Sequence, residues 1–142
     1  MLEHQHDKLR EYYRQYMEVV RPLIMFYEVM EEKAPISVYN EIRAFNDHIA
    51  TVYHYEAKED DENKINSEIN KVHSHLLRLT LDGYKYVNSA FANKIKSFEE
   101  QVKFINYTQI SDGAFYIPYK ELYNNWKAKI LEAKKEENIR KQ

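Results

Sequence analysis

Two groups of side chains in this chain have the types and spacings that could do chemistry. The first is Arg43-Ala44-Phe45-Asn46-Asp47-His48. A guanidinium can steady the charge on a phosphorane. An imidazole can take or give a proton near neutral pH, so the pair suits phosphodiester cleavage. Five residues on a straight helix turn through about 140°, so one such pair does not converge by itself. The plainer expectation is that Arg43 pairs with Asp47 one turn on, worth about 0.3 kcal/mol. His48 then bonds to a neighbour such as Glu41.

The second group is His75, Arg78, Asp82 and Lys85, with Lys71 one turn earlier. Steps of three and four put all five on one helical face, opposite Val72, Leu76 and Leu79. Cations with one carboxylate could bind a nucleotide or other phosphate-bearing ligand. As an ordinary wet face, the same residues would form an Arg78–Asp82 pair. His73 is expected on the apolar side as a core histidine. His54 belongs near a helix end, and His4 and His6 in a loose start.

The Arg43/His48 spacing resembles the Arg-x(4–6)-His motif of HEPN ribonucleases, which are small all-α domains. The resemblance implies a metal-independent ribonuclease acting as a dimer. Arg43 would stabilise the scissile phosphate and His48 would assist proton transfer, two motifs meeting across the dimer. More loosely, Glu41-Ile42-Arg43 … Asp47-His48-Ile49 with His75-Leu76-Leu77-Arg78 … Asp82 resembles a pattern in uncharacterised bacterial helical proteins, some near antiphage systems. That likeness implies two helices that face one another and share a site.

The elements that must carry these residues are helices. Only 2 glycines and 3 prolines occur in 142 residues, too few for the tight turns of a β-protein. The chain is long enough to bury a sizeable core as a single domain. With no cysteine it has no disulfide framework, zinc thiolate site or thiol nucleophile, which points to the cytoplasm. The polar start has no apolar signal core, and no run approaches a membrane span. A net charge of -2 argues against a duplex-DNA binder. Phosphate-binding glycine loops, His-Glu-x-x-His and calcium-loop patterns are missing, and neither a metal nor a cofactor is expected.

The apolar stripes give the expected layout. A first helix covers about 3–32, with Tyr13, Tyr16, Met17, Val20, Leu23, Ile24, Tyr27 and Met30 inward and a kink at Pro22. Ser37 caps a second helix to about Tyr55, with core line Val38, Ile42, Phe45, Ile49 and Val52. Asp60 or Asp61 caps a third run from near Asn63. As one helix that run would be roughly 60 Å long, so a break is expected near Asn88-Ser89. Ser111-Asp112-Gly113 marks a turn, and Pro118 opens a last helix. The ends, about 1–6 and 135–142, are expected to be flexible.

The expected fold is an all-α, single-domain bundle of four to six long, mostly antiparallel helices spanning 1–142. The expected function is a small cytoplasmic non-catalytic binding or assembly module, of a bacterial or phage conflict system. It would act as a homodimer or with a heterologous protein, and the 13 tyrosines, crowded at Tyr12, Tyr13 and Tyr16, suit such an interface. The alternatives are the HEPN-like ribonuclease, with Arg43 and His48 catalytic, and a phosphate-ligand sensor using Asp47, His75, Arg78, Asp82 and Lys85.

Overall fold

The computed structural model describes residues 1–58 and 61–140, with Tyr107 and residues 137–140 described by backbone alone. Among the described residues every regular element is helical. They are α1 (Glu3–Gln15), a π-helical segment (Tyr16–Val20), α2 (Arg21–Glu31), α3 (Ile36–Ala57), α4 (Glu62–Val102), a 3₁₀ segment (Tyr107–Gly113) and α5 (Tyr116–Arg140). None is long and apolar enough to cross a membrane. Where one domain is expected, the chain groups into two compact units, Met1–Lys94 and Ile95–Gln142, the boundary falling inside α4.

In the first unit α1 passes into α2 through the π-helical segment that directly precedes Arg21-Pro22. Pro22 lacks an N–H and its ring crowds the carbonyl four residues back. The turn just before it is widened, closed by the Arg21 N–H on the Tyr16 carbonyl. α2 stops at Glu32, which adopts the left-handed conformation (φ 55°) and returns its N–H to the Glu28 carbonyl.

Of three start signals, two read differently in the structure and one stands. Ser37 is not the cap of α3: that place falls to Pro35, whose carbonyl accepts from the Val38 N–H. Ser37 lies in the first turn and its hydroxyl meets the Tyr86 hydroxyl. Asp61 does cap α4, its side chain accepting from the Asn63 N–H and its carbonyl from Lys64 and Ile65. Asp60 lies outside the described residues. The amino terminus, expected to be loose, is tied down. Gln5 is fully buried, accepts from the Leu2 N–H and donates to Asn66, both at 2.8 Å. The Met1 amino group lies 2.9 Å from Glu56.

The core of this unit joins Leu9, Val20 and Ile24 to Val38, Phe45, Ile49 and Val52 of α3 and to Ile65, Ile69, Val72, Leu76 and Leu79 of α4. The α3 core line stands as read, Ile42 being partly buried. On the first helix the phase is shifted: Leu9 and Gln5 face inward, while Met17 and Tyr13 are exposed. The expected break at Asn88-Ser89 does not occur, and α4 is continuous from Glu62 to Val102. No proline interrupts it, and its inward line passes through Gly83, Val87 and Ala90 rather than Tyr84 and Phe91.

Gly83 is what lets α2 approach α4. A Cβ there would lie 3.3 Å from the Leu23 Cβ and 3.2 Å from its Cδ1. A Gly83→Val substitution is therefore expected to lower stability by about 2–3 kcal/mol through overpacking, despite valine's better helix propensity. Urea denaturation measures it. An unchanged midpoint would mean the two helices are not in close contact.

In the second unit the residues after α4 form the expected turn. Ser111, Asp112 and Gly113 all take positive φ, which glycine accepts without strain. Pro118 sits in the first turn of α5, as read. The rings of Phe98, Phe115, Tyr119, Tyr123 and Trp126 follow one another at centroid distances of 5.5–6.2 Å. Leu122, expected on that apolar side, is exposed instead.

Candidate functional site

The α3–α4 hairpin brings two glutamates and two histidines together. Ser37 meets Tyr86, Glu41 meets His75 and His48 meets Glu68, so the numbering rises on one helix as it falls on the other. The helices are therefore antiparallel. His48 Nδ1 lies 2.6 Å from Glu68 Oε2, and His75 Nδ1 lies 2.6 Å from Glu41 Oε2. The imidazoles stack on each other with centroids 5.1 Å apart and planes 20° apart. The second oxygen of each glutamate faces a cation of α4. Lys71 is 2.6 Å from Glu68 Oε1, and Arg78 is 3.7 Å from Glu41 Oε1.

The geometry follows from a nine-residue pattern that occurs twice. Glu41-Ile42-x-x-Phe45-x-x-His48-Ile49 on α3 matches Glu68-Ile69-x-x-Val72-x-x-His75-Leu76 on α4. In each copy the isoleucine and the two later apolar residues serve the core. Glutamate and histidine sit beside that stripe, seven residues or about 10 Å apart along the helix. Laid antiparallel, each glutamate reaches the other helix's histidine, and a local two-fold passes between the rings. Residue-by-residue reading missed this. The repeat was the available signal.

The charges are consistent with strong hydrogen bonds. An ionised carboxylate only accepts, so each Nδ1 carries the hydrogen and each Nε2 is the open ring nitrogen. Burial pushes the Glu68 carboxyl up, but the hydrogen bonds from Lys71 and His48 more than reverse this and leave it below its ordinary value. No described, non-exposed side chain holds a buried nitrogen or oxygen without a partner, and neither Nε2 has a protein hydrogen bond among the described residues. Both Nε2 atoms therefore reach solvent.

Of the residues singled out from sequence, His48, His75 and Arg78 converge, with Lys71 joining through Glu68. Arg43 and Asp47 are exposed, and the structure brings neither into the cluster. The expected Arg43–Asp47 pair is not formed among the described residues. Arg78 turns to Glu41 rather than to Asp82. Glu41 is the partner of His75, not of His48 as expected. The α4 face is also less open than expected, since His75 is half-buried in the seam with α3 and its side chain is 16% exposed. Asp82 and Lys85 lie further along α4, with Lys85 exposed. His73, expected in the core, is exposed and stacks on Tyr12 at 5.2 Å.

A second feature lies on α2. Pro22, Met25, Phe26 and Val29 fall on one outward face, and all four are exposed, Val29 at 80%. Phe26 leans on Phe91 of α4, the ring centroids 5.5 Å apart. Within the unit Tyr13 and Tyr16 meet Phe45 and Tyr12 meets His73, Tyr13 remaining exposed. Comparison of the chain with known protein families, characterised proteins and solved structures returns no match.

Proposed function

We propose that the chain is a small non-catalytic assembly module that pairs with a second copy of itself along α2. The observation that carries this is the contiguous exposed face of Pro22, Met25, Phe26 and Val29. Such a face on a helix is a contact surface more readily than a tolerated exposure. Its flank selects the partner. On a helical wheel Arg21 and Glu28 fall along one side of the strip, with the cation at the start and the carboxylate towards the end. Laid antiparallel on a copy of itself, α2 puts Arg21 of one chain beside Glu28 of the other, twice over, which is the self-complementarity a two-fold dimer needs.

This reading is favoured over anion chemistry because carboxylates line the histidine cluster and take up its cations. The cytoplasm is the proposed compartment, since a chain without cysteine gains nothing from an oxidising one. A bacterial or phage conflict system is the proposed setting.

Light scattering over a concentration series tests the pairing. Wild type is expected to shift from monomer to dimer mass. Phe26→Asp with Val29→Asp is expected to stay monomeric with an unchanged helical circular dichroism spectrum. Arg21→Glu should weaken pairing, and adding Glu28→Arg should restore it. A wild-type monomer at high concentration would remove the proposal.

A further inference from the structure

We infer that two copies of the chain also pair along α4, its Leu77, Leu81, Tyr84 and Phe91 side packing antiparallel on the same side of the second copy, which rests on the α2 pairing and enlarges it. All four residues are exposed, from 39% at Phe91 to 58% at Leu81, and all lie in the first unit. Steps of four, three and seven keep them on one side of the helix, the spacing of a coiled-coil seam. The core takes a different side, that of Gly83, Val87 and Ala90. α4 thus has two apolar sides, and only one of them is buried in the core.

Area and continuity choose the occupant. A stable pair buries about 800 Å² on each partner, contributed by roughly 20 residues. The four side chains of the α2 face are too few to supply that alone. Phe26 of that face touches Phe91, so the apolar surface runs on from α2 to α4. From Leu77 to Phe91 the stripe adds about 21 Å of helix.

The symmetry of the stripe fits a second copy. Leu77 and Phe91 lie seven residues to either side of Tyr84. Reversed on itself, the stripe sets Leu77 against Phe91 twice and Tyr84 against its own copy, so the two-fold axis passes at Tyr84. The Arg21–Glu28 pairing puts the axis of α2 between Ile24 and Met25. These two axes coincide. Tyr12 meets His73, Leu23 meets Gly83 and Tyr27 meets Tyr86, so α2 and α4 run parallel. One residue on from the Leu23–Gly83 contact, Ile24 lies level with Tyr84. A single two-fold axis across both helices therefore lays α2 on α2 and α4 on α4 at once.

The absence of cysteine makes the test direct, because one introduced thiol has only its own copy to meet. Tyr84→Cys stands at the axis and is expected to form a disulfide-linked dimer on mild oxidation, read on a non-reducing gel. Ser74→Cys, exposed on the same helix, is the control. In the paired chains its two copies stand about 30 Å apart, and it should stay unlinked. By light scattering, Leu77→Glu with Tyr84→Glu should raise the dissociation constant roughly 30-fold or more, with an unchanged circular dichroism spectrum. If wild type dimerises through α2, but Tyr84→Cys stays unlinked and the double glutamate variant pairs like wild type, the α4 contact falls and the α2 reading survives. Equal linking of Ser74→Cys and Tyr84→Cys would also overturn the α4 contact. A wild type that stays monomeric removes both.

Discussion

Replacing Phe45 with alanine is expected to cost about 4 kcal/mol, the upper range for removing a large ring from a closed core. Phe45 has no solvent exposure. It lies under the first helix, with Tyr16 stacked at 5.6 Å and Tyr13 edge-on at 5.9 Å. Deleting the ring leaves a cavity that two tyrosines cannot fill without pulling their hydroxyls inward. The penalty therefore includes both the lost transfer free energy and the void. A domain of this size should melt roughly 10–20 °C lower. The matched control is Phe91→Ala on α4, whose ring is exposed and touches Phe26. It should cost about 1 kcal/mol or less. Urea unfolding of both variants decides the matter. Equal losses would mean that the inward line of the hairpin is misplaced.

The contrast between those two phenylalanines also shows how far the fold was legible in the sequence. Helical class followed from scarce turn residues, and the α3 core line followed from periodicity alone. Periodicity failed where a helix carries apolar residues over a broad arc. On α4 a small-residue line, Gly83 and Ala90, faces inward and pushes Tyr84 and Phe91 out. Hydrophobicity cannot show this, because close helix approach favours the residue that occupies least space. The missing break near Asn88 has a related cause. Length was weighed against one domain, whereas the chain groups into two units with the boundary inside α4. On the first helix Gln5 was passed over because an amide reads as surface. It is buried because Leu2 and Asn66 satisfy it.

The site was legible in its two histidines and Arg78, but not in Glu68 or in the pairing. Spacing on one helix picks out a face, and it set His48 beside the α3 core line but His75 on a wet face opposite Val72, Leu76 and Leu79. Which glutamate each would meet depends on the register of two antiparallel helices, over sequence separations of 20 and 34 residues. Local arithmetic favoured Arg43 with Asp47 and Arg78 with Asp82, each an i,i+4 pair worth about 0.3 kcal/mol. Glu41, shielded beside His75, is the stronger attractor for Arg78 because a partly desolvated carboxylate is less screened. The doubled Glu-Ile-x-x-apolar-x-x-His pattern carries the register, because only one antiparallel alignment pairs both glutamates with both histidines.

That register gives the second large effect an unusual pH dependence. Glu68→Gln is expected to cost about 2 kcal/mol at pH 7, since it removes the charge that both Lys71 and His48 address. Glu68 is 7% exposed, so solvent screens these bonds only weakly. Its folded pKa lies below the ordinary value, the bonds outweighing burial. As pH falls the unfolded chain therefore takes up this proton first. The stabilisation from Glu68 is whole above its unfolded pKa, near ~4.3. It drains away as pH falls through the lower folded value. The stability difference between wild type and Glu68→Gln should accordingly be flat from pH 7 to about 5 and shrink steadily below that. Denaturant titrations at half-unit steps would trace it. His48→Ala should remove part of the same difference, because one partner of the carboxylate is then gone, and a double-mutant cycle isolates that share. A wild-type-to-variant gap that stays constant down to pH 3 would show that the Glu68 carboxylate contributes through its shape and not through its charge.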